Sequence, residues 1–144
     1  MLLSPATNRR VAAPGFRRGA TTVEFAVTSL VFFTLVLGIV EIGRALMVQH
    51  VLTDAARHGC RVGVLDGKAT SDVSTAATAV LNAGGAGSAT VTVQVNGVVA
   101  DASTAQSGDE ITVLTSVPAG QISWLPGLRY LTGNLTGQYT LRRE

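Results

Sequence analysis

The side chains best suited to metal binding are His50, Asp54 and His58, which lie four residues apart. This spacing places side chains on one face of a helix, where imidazole and carboxylate groups could be presented to an ion. Three ligands in such a row extend over two helical turns, about 12 Å, which is too far for a single ion. We therefore predict no metal site and interpret the three residues as solvated surface.

Nucleophilic catalysis is not indicated either. Cys60 is the single cysteine, so no internal disulfide can form, and no neighbouring acid–base arrangement marks it as a nucleophile. Two interpretations of Cys60 stay open, a buried small residue or one half of an intermolecular disulfide. With both histidines on one helix no serine triad is persuasive, and the sequence contains no phosphate-binding loop. We expect no enzyme activity and no cofactor.

Length and charge exclude further classes of protein. The 144 residues allow one small domain, which leaves no room for a two-domain enzyme, and 47% apolar residues exclude a fully disordered chain. The chain has 11 Lys/Arg and 9 Asp/Glu, but four arginines precede the first acid, so the remainder carries seven against nine. A nucleic-acid binder would spread arginine over a folded face. Basic residues confined to one short arm indicate a topogenic signal, and we expect no nucleic-acid partner.

An apolar segment follows this basic arm. Residues 25–40 contain no charge and are bounded by Glu24 and Glu41. A helix over residues 20–40 would span about 31 Å, close to the thickness of the hydrocarbon core of a bilayer. A cleaved signal peptide is the competing interpretation, but no small-residue cleavage site follows Val40. We expect a retained anchor.

The positive-inside rule gives this anchor an orientation, because the arginines lie on its N-terminal side. The N-terminus is predicted to lie in the cytoplasm and the C-terminal part outside a single-pass inner-membrane span. We divide the chain into a basic cytoplasmic leader (1–19), a transmembrane helix (20–41), an extracytoplasmic extension of the same helix (42–66) and a small extracytoplasmic α+β domain (67–144).

Glu24 is unusual because it lies just inside the apolar segment, where a carboxylate is costly unless it has a partner. If the chain were cut between Gly19 and Ala20, the new α-amino group would be a cation at the end of an apolar helix. Glu24 of a neighbouring subunit could neutralise it, and such a pair is worth more in a low dielectric than in water. A cut at this bond would therefore give a physical reason for a glutamate at this spacing from a glycine.

Three ordered elements of residues 18–66 resemble the TadE-like family, the minor pseudopilins of the tight-adherence (Tad) pilus. The first is Gly19 followed by Val23-Glu24-Phe25-Ala26, the second is Glu41-Ile42-Gly43-Arg44, and the third is Ala55-Ala56-Arg57-His58-Gly59-Cys60-Arg61. The final Arg142-Arg143-Glu144 also resembles the family. Two positions depart from its pattern, since Thr28-Ser29-Leu30 lacks a frequent proline and Cys60 replaces an expected alanine.

The resemblance implies a function in pilus assembly, for adhesion or secretion. A prepilin peptidase would cut after Gly19 at the cytoplasmic face, while Arg17 and Arg18 hold the leader at the anionic membrane surface. The implied partners are this peptidase, inner-membrane pilus platform proteins, other pilins and membrane lipid, and the protein could reach the cell surface in a pilus. The rival hypothesis is an uncleaved, membrane-anchored extracytoplasmic binding module whose residues 118–134 contact a ligand.

The remaining patterns predict an α+β, pilin-like fold in which a long N-terminal transmembrane and amphipathic helix packs on a second helix and a small antiparallel sheet. The first helix, about 45 residues long, carries an apolar stripe and stops at Asp66-Gly67. Ser71 or Asp72 caps the second helix. Strands follow at 90–96, 110–117 and 135–142, with a hairpin turn at Asn96-Gly97. The stripe consists of Val48, Leu52, Ala55, Gly59 and Val62. The small residues Ala55, Ala56, Gly59 and Cys60 would let either the chain's own sheet or another subunit approach closely, and the apolar residues 118–134 cover the core or form a contact surface.

Overall fold

The computed structural model describes residues 17–122 and 133–144. Two helices, α1 (Arg17–Gly63) and α2 (Thr70–Ala83), precede four strands: β1 (Thr90–Val95), β2 (Val98–Val99), β3 (Glu110–Pro118) and β4 (Asn134–Arg142). Short 3₁₀ turns occupy Ala102–Thr104 and Ala119–Gln121. The chain divides into two compact units at Gly38–Ile39. This order confirms the predicted α+β class.

Helix α1 runs without interruption for 47 residues, as the proline-free sequence predicts. It ends at Gly63, so the predicted end at Asp66-Gly67 is wrong by three residues. The amide of Val64 still donates to the Cys60 carbonyl at 3.0 Å, but Leu65 donates to Val62, which tightens the chain into a turn. Gly67, at a φ of +72°, then reverses the chain direction.

Helix α2 begins two or three residues earlier than its polar residues suggested. Its N-cap is Ala69, so the prediction of Ser71 or Asp72 in that position is wrong. Asp72 lies three residues into the helix and accepts a hydrogen bond from the Ala69 amide at 3.2 Å. The carboxylate therefore caps the helix from inside its first turn, where it also meets the positive end of the helix dipole.

The four strands form one antiparallel sheet in the order β2-β1-β3-β4. Asn96 and Gly97 join β1 to β2 with φ angles of 51° and 81°, the left-handed pair that a tight hairpin requires. This confirms the predicted turn. Strand β3 pairs along its whole length with β4, from Glu110 opposite Arg142 to Pro118 opposite Asn134.

The core lies between the sheet and the C-terminal half of α1. Val48, Leu52 and Ala55 of the predicted stripe are buried and pack with Leu81 and Val117. The stripe therefore faces the chain's own helix and sheet, which confirms that alternative. Of the apolar connection predicted at 118–134, residues 123–132 lie outside the described part of the chain.

Helix and sheet approach most closely at Gly137 of β4. A β-carbon added there would lie 2.5 Å from the Leu52 carbonyl carbon and 2.6 Å from the Thr53 nitrogen. Beside it, the buried Thr115 hydroxyl lies 2.9 Å from the Leu52 carbonyl oxygen and 3.2 Å from that of Gly137, as donor to both. The backbone of α1 therefore rests directly on the β3–β4 pair.

Candidate functional site

The predicted processing site lies at the start of α1. Residues 1–16 of the predicted leader are outside the described residues, and the helix begins at Arg17, followed by Arg18. Nothing lies within 4 Å of a β-carbon added at Gly19, and Ala20 and Glu24 are exposed. A glycine weakens a helix by roughly 1 kcal/mol relative to alanine. The bond between Gly19 and Ala20 therefore lies near the end of the helix, at a residue that weakens it.

The helix after Glu24 exposes almost all of its apolar side chains. Phe25 is 72% exposed, and Leu30, Phe33 and Val40 are each at least 60% exposed. An 18-residue window of this helix has a mean hydropathy of 2.3 and is 6% buried. By length and composition it is the one helix in the described residues that could cross a membrane. Its low burial distinguishes it from a core helix, so α1 could anchor the protein in a membrane.

The Glu41-Ile42-Gly43-Arg44 element lies where α1 enters the second unit. Arg44 donates from Nε to the Ile122 carbonyl at 2.9 Å, which ties the end of the 3₁₀ turn after β3 to the helix. Glu41 is 9% exposed, whereas Gly43 is exposed and nothing lies within 4 Å of an added β-carbon. This element thus joins the apolar half of α1 to the folded unit.

The Ala55–Arg61 element divides its residues between two faces of α1. Ala55, Ala56 and Cys60 are completely buried, and a β-carbon on Gly59 would lie 3.4 Å from side chains of both α2 and β3. On the outer face Arg61 is exposed. The Arg57 guanidinium lies 5.2 Å from the centre of the Tyr139 ring and 3.6 Å from Asp54. Small residues bring the helix close to the core, and the arginines face outward.

The structure decides between the two interpretations of Cys60. Its side chain is completely buried, and Sγ donates a weak hydrogen bond to the Tyr139 carbonyl at 3.0 Å. Burial raises the pKa of the thiol to about 11. The buried-residue interpretation is confirmed, because a buried neutral thiol cannot reach another subunit.

The three residues considered as metal ligands lie on the outer face of α1. His50, Asp54 and His58 are all exposed, and Asp54 forms its ion pair with Arg57. Among residues 17–122 and 133–144, no group of three His, Cys, Asp or Glu side chains could hold a metal ion. The row is a charged surface of the helix.

Arg143 has a structural role that the sequence analysis did not identify. Its side chain is 6% exposed and donates to the carbonyls of Ala102 and Ala105, at 3.3 and 2.9 Å, and to Asp66 at 2.8 Å. It therefore joins β4, the 3₁₀ turn after β2 and the turn after α1. The resemblance drew attention to Arg142-Arg143, but nothing in the pair distinguishes the buried arginine from the exposed one.

Two aspartates near Arg143 hold the neighbouring loops. Asp101 accepts hydrogen bonds from the Ser103 amide at 2.9 Å and the Thr70 amide at 3.3 Å, and Asp109 accepts from Gln106 at 2.7 Å. The bonds to Ser103 and Gln106 are the main reason why the pKa of each carboxyl lies below its usual value. Both groups remain charged, and α2 begins beside them.

Comparison with known proteins places the N-terminal part of the chain in a family. Residues 19–61 match the TadE-like protein family. This segment is TadE-like. All three elements that carried the resemblance fall within the match, which indicates a membrane protein associated with the Tad pilus. No curated protein and no solved structure gives a significant match to the chain.

Proposed function

We propose that the protein is a minor pilin, or pseudopilin, that a prepilin peptidase cuts after Gly19 and that takes part in assembling a Tad-type pilus. The observation that carries the proposal is the TadE-like match over residues 19–61, which covers an exposed apolar helix with a glutamate near its start. The protein is then the substrate of a protease and not itself an enzyme. Adhesion or secretion is the process that the pilus would serve.

Glu24 gives the proposal its physical basis. Cleavage after Gly19 makes Ala20 the first residue and leaves a positively charged amine four residues before the carboxylate. In an assembly of parallel helices, the amine of one subunit can pair with Glu24 of its neighbour in a region of low dielectric. Leaving that carboxylate without a partner would cost several kcal/mol, about as much as breaking a buried ion pair.

The leader supplies the orientation that this chemistry needs. Four arginines on the N-terminal side of the span keep residues 1–19 on the cytoplasmic side, where the peptidase acts, and direct residues 42–144 outward. Inner-membrane platform proteins and other pilins would then bind the processed helix within the bilayer. The alternative is an uncleaved anchor that carries a binding module.

Mass spectrometry of the membrane-extracted protein separates the two. We expect a mature chain that begins at Ala20, whereas a chain that begins at Met1 would support the uncleaved anchor. Gly19→Glu should remain full length, because the added side chain crowds the protease cleft. Gly43→Glu is the matched control, since it adds the same charge to an exposed glycine of α1, and it should be processed normally.

A second substitution tests the charge pair. Glu24→Gln should still be cut but should co-purify with other pilins at least about tenfold less, since one lost pair in low dielectric is worth more than 1.4 kcal/mol. Asp54→Asn removes an exposed carboxylate from the same helix and should leave the yield unchanged. Equal yields from wild type and Glu24→Gln would contradict the proposal.

A further inference from the structure

Apart from Glu41 and Arg44, the charged side chains in the described part of Ile39–Glu144 lie on two surfaces. The first, which we call the basic face, is the outer side of α1 formed by the exposed residues His50, Arg57, His58 and Arg61. Asp54 is the one acid among them, and its ion pair with Arg57 is long, at 3.6 Å, and exposed. Exposed pairs of this kind contribute little free energy, so Arg57 can exchange Asp54 for another acidic partner. Within the described residues, the Arg61 side chain makes no hydrogen bond or ion pair.

The second surface, the acidic end, lies where α1 stops. Bonds from Arg143 and from Asp101 hold the turn after α1, the start of α2 and the loop before β3 together. This end contains six of the nine Asp/Glu residues and three basic residues, Lys68, Arg142 and Arg143. The acids are Asp66, Asp72, Asp101, Asp109, Glu110 and Glu144.

The basic residues of this end do not offset its charge at the surface. Arg143 is buried and donates to two carbonyls as well as to Asp66, whereas the Asp66 side chain is 98% exposed. Asp101 and Asp109 remain ionised because backbone amides bind their carboxylates. The acidic end therefore presents a negative surface, which lies beyond the C-terminal end of the helix that carries the basic face.

We propose that the basic face of α1 in one copy binds the acidic end of a second copy that is displaced along the helix. This rests on the proposed function, which gives all copies parallel helices in one membrane. At equal height, the acidic ends of two adjacent copies would repel each other. A shift of one to two helical turns, roughly 5–11 Å, brings the turn after α1 of one copy level with Arg57 and Arg61 of the next and turns repulsion into attraction.

The pattern of charge thus selects a staggered pairing over a side-by-side one. Exposed ion pairs are individually weak, so the contact adds to the packing of the apolar helices and sets their relative height. Because the charges are exposed, the contact weakens as the salt concentration rises. Anionic lipid headgroups and a different acidic protein are the other occupants that the experiment distinguishes.

Cross-linking between two tagged full-length copies, expressed together with the pilus system, tests the geometry. One copy carries His58→Cys on the basic face and the other Ser107→Cys beside the acidic end. The buried Cys60 thiol leaves the new cysteines as the reactive ones. We expect the 58–107 product to exceed the 58–58 and 107–107 products at least about fivefold, and to fall with added salt. A dominant 107–107 product would overturn the stagger.

Charge reversal tests the partner. Arg61→Glu in the His58→Cys copy should lower the 58–107 product about threefold, and Glu110→Lys in the other copy should restore it. A loss without restoration would mean that lipid or another acidic protein binds the basic face, which overturns self-association. Mass spectrometry of the same sample separates the two proposals: an intact leader with the 58–107 product refutes only the processing, and a mature chain without it refutes only this surface.

Discussion

A single thiol illustrates how position determines chemistry at the scale of a residue. Burial raises the pKa of Cys60 from 9.0 to about 11, so the neutral thiol is the stable form in the folded protein. We expect iodoacetamide at pH 8 to label native protein at least about a hundredfold more slowly than denatured protein. Equal rates of labelling would contradict the burial of this side chain.

The same shift predicts a dependence of stability on pH. Because the pKa is higher in the folded state, the contribution of Cys60 is complete below about pH 9 and is lost as the pH rises towards 11. The thermal midpoint of the detergent-solubilised protein should fall over that range. The thermal midpoint of Cys60→Ala should fall less over the same pH range, since this variant has no thiol to ionise.

Arg143 and Arg142 form a matched pair for a second experiment. Arg143→Ala leaves two buried carbonyls and Asp66 without their donor, and we expect a loss of about 3 kcal/mol, or roughly 12–15 °C in the thermal midpoint. Arg142 is exposed and donates to Gly108 at 2.8 Å. Its replacement by alanine should cost less than about 1 kcal/mol. Similar losses for both variants would refute the structural role of Arg143.

At the scale of the elements, the contact between α1 and β4 depends on one missing side chain. Gly137→Ala would place a β-carbon 2.5 Å from the backbone of Leu52, and backbone cannot move aside as a flexible side chain can. We expect a loss of about 3 kcal/mol or more in thermal unfolding, because helix and strand must separate. Gly120→Ala, where no atom of the described residues lies within 4 Å of the added β-carbon, should be nearly neutral. A tolerated Gly137→Ala would contradict the close contact.

Local patterns predicted the elements well, because each signal is carried by neighbouring residues. The absence of proline, the alternating valines of β1 and the Asn96-Gly97 turn were sufficient to find α1 and the hairpin. The ends of the helices were harder. Asp72 caps from inside α2, and the turn after Gly63 places Asp66 within reach of Arg143, 77 residues away. Such contacts depend on the folded chain, so sequence spacing did not indicate them.

The candidate site divides in the same way. The apolar run, Gly19, Glu24 and the small residues of the Ala55–Arg61 element are visible in sequence because their types and spacing are local. The bond from Arg44 to Ile122 joins residues 78 apart, and the separation of charge between the outer face of α1 and its far end appears only when the loops are brought together. Contacts between residues far apart in the chain leave no periodic pattern in the sequence from which they could be predicted.

At the scale of the whole molecule, the orientation in the membrane is open to a direct test. Replacing Arg9, Arg10, Arg17 and Arg18 with glutamate removes the positive charge that holds the N-terminus inside. Alkaline phosphatase fused after Glu144 is active only outside the cytoplasm, so we expect its activity to fall at least about tenfold. Arg142→Glu changes an exposed charge at the other end of the chain and should leave the alkaline phosphatase activity unchanged. Full activity after the N-terminal change would refute the orientation.

The packing of α1 on β3 and β4 also determines when its apolar stripe can be buried during synthesis. Leu52 meets its partner Thr115 after 63 further residues, and Cys60 meets Tyr139 after 79. Until those strands have been synthesised, the apolar stripe of the emerging helix has no cover and is prone to aggregation. The last strand of the chain is therefore needed before the apolar stripe can be covered completely.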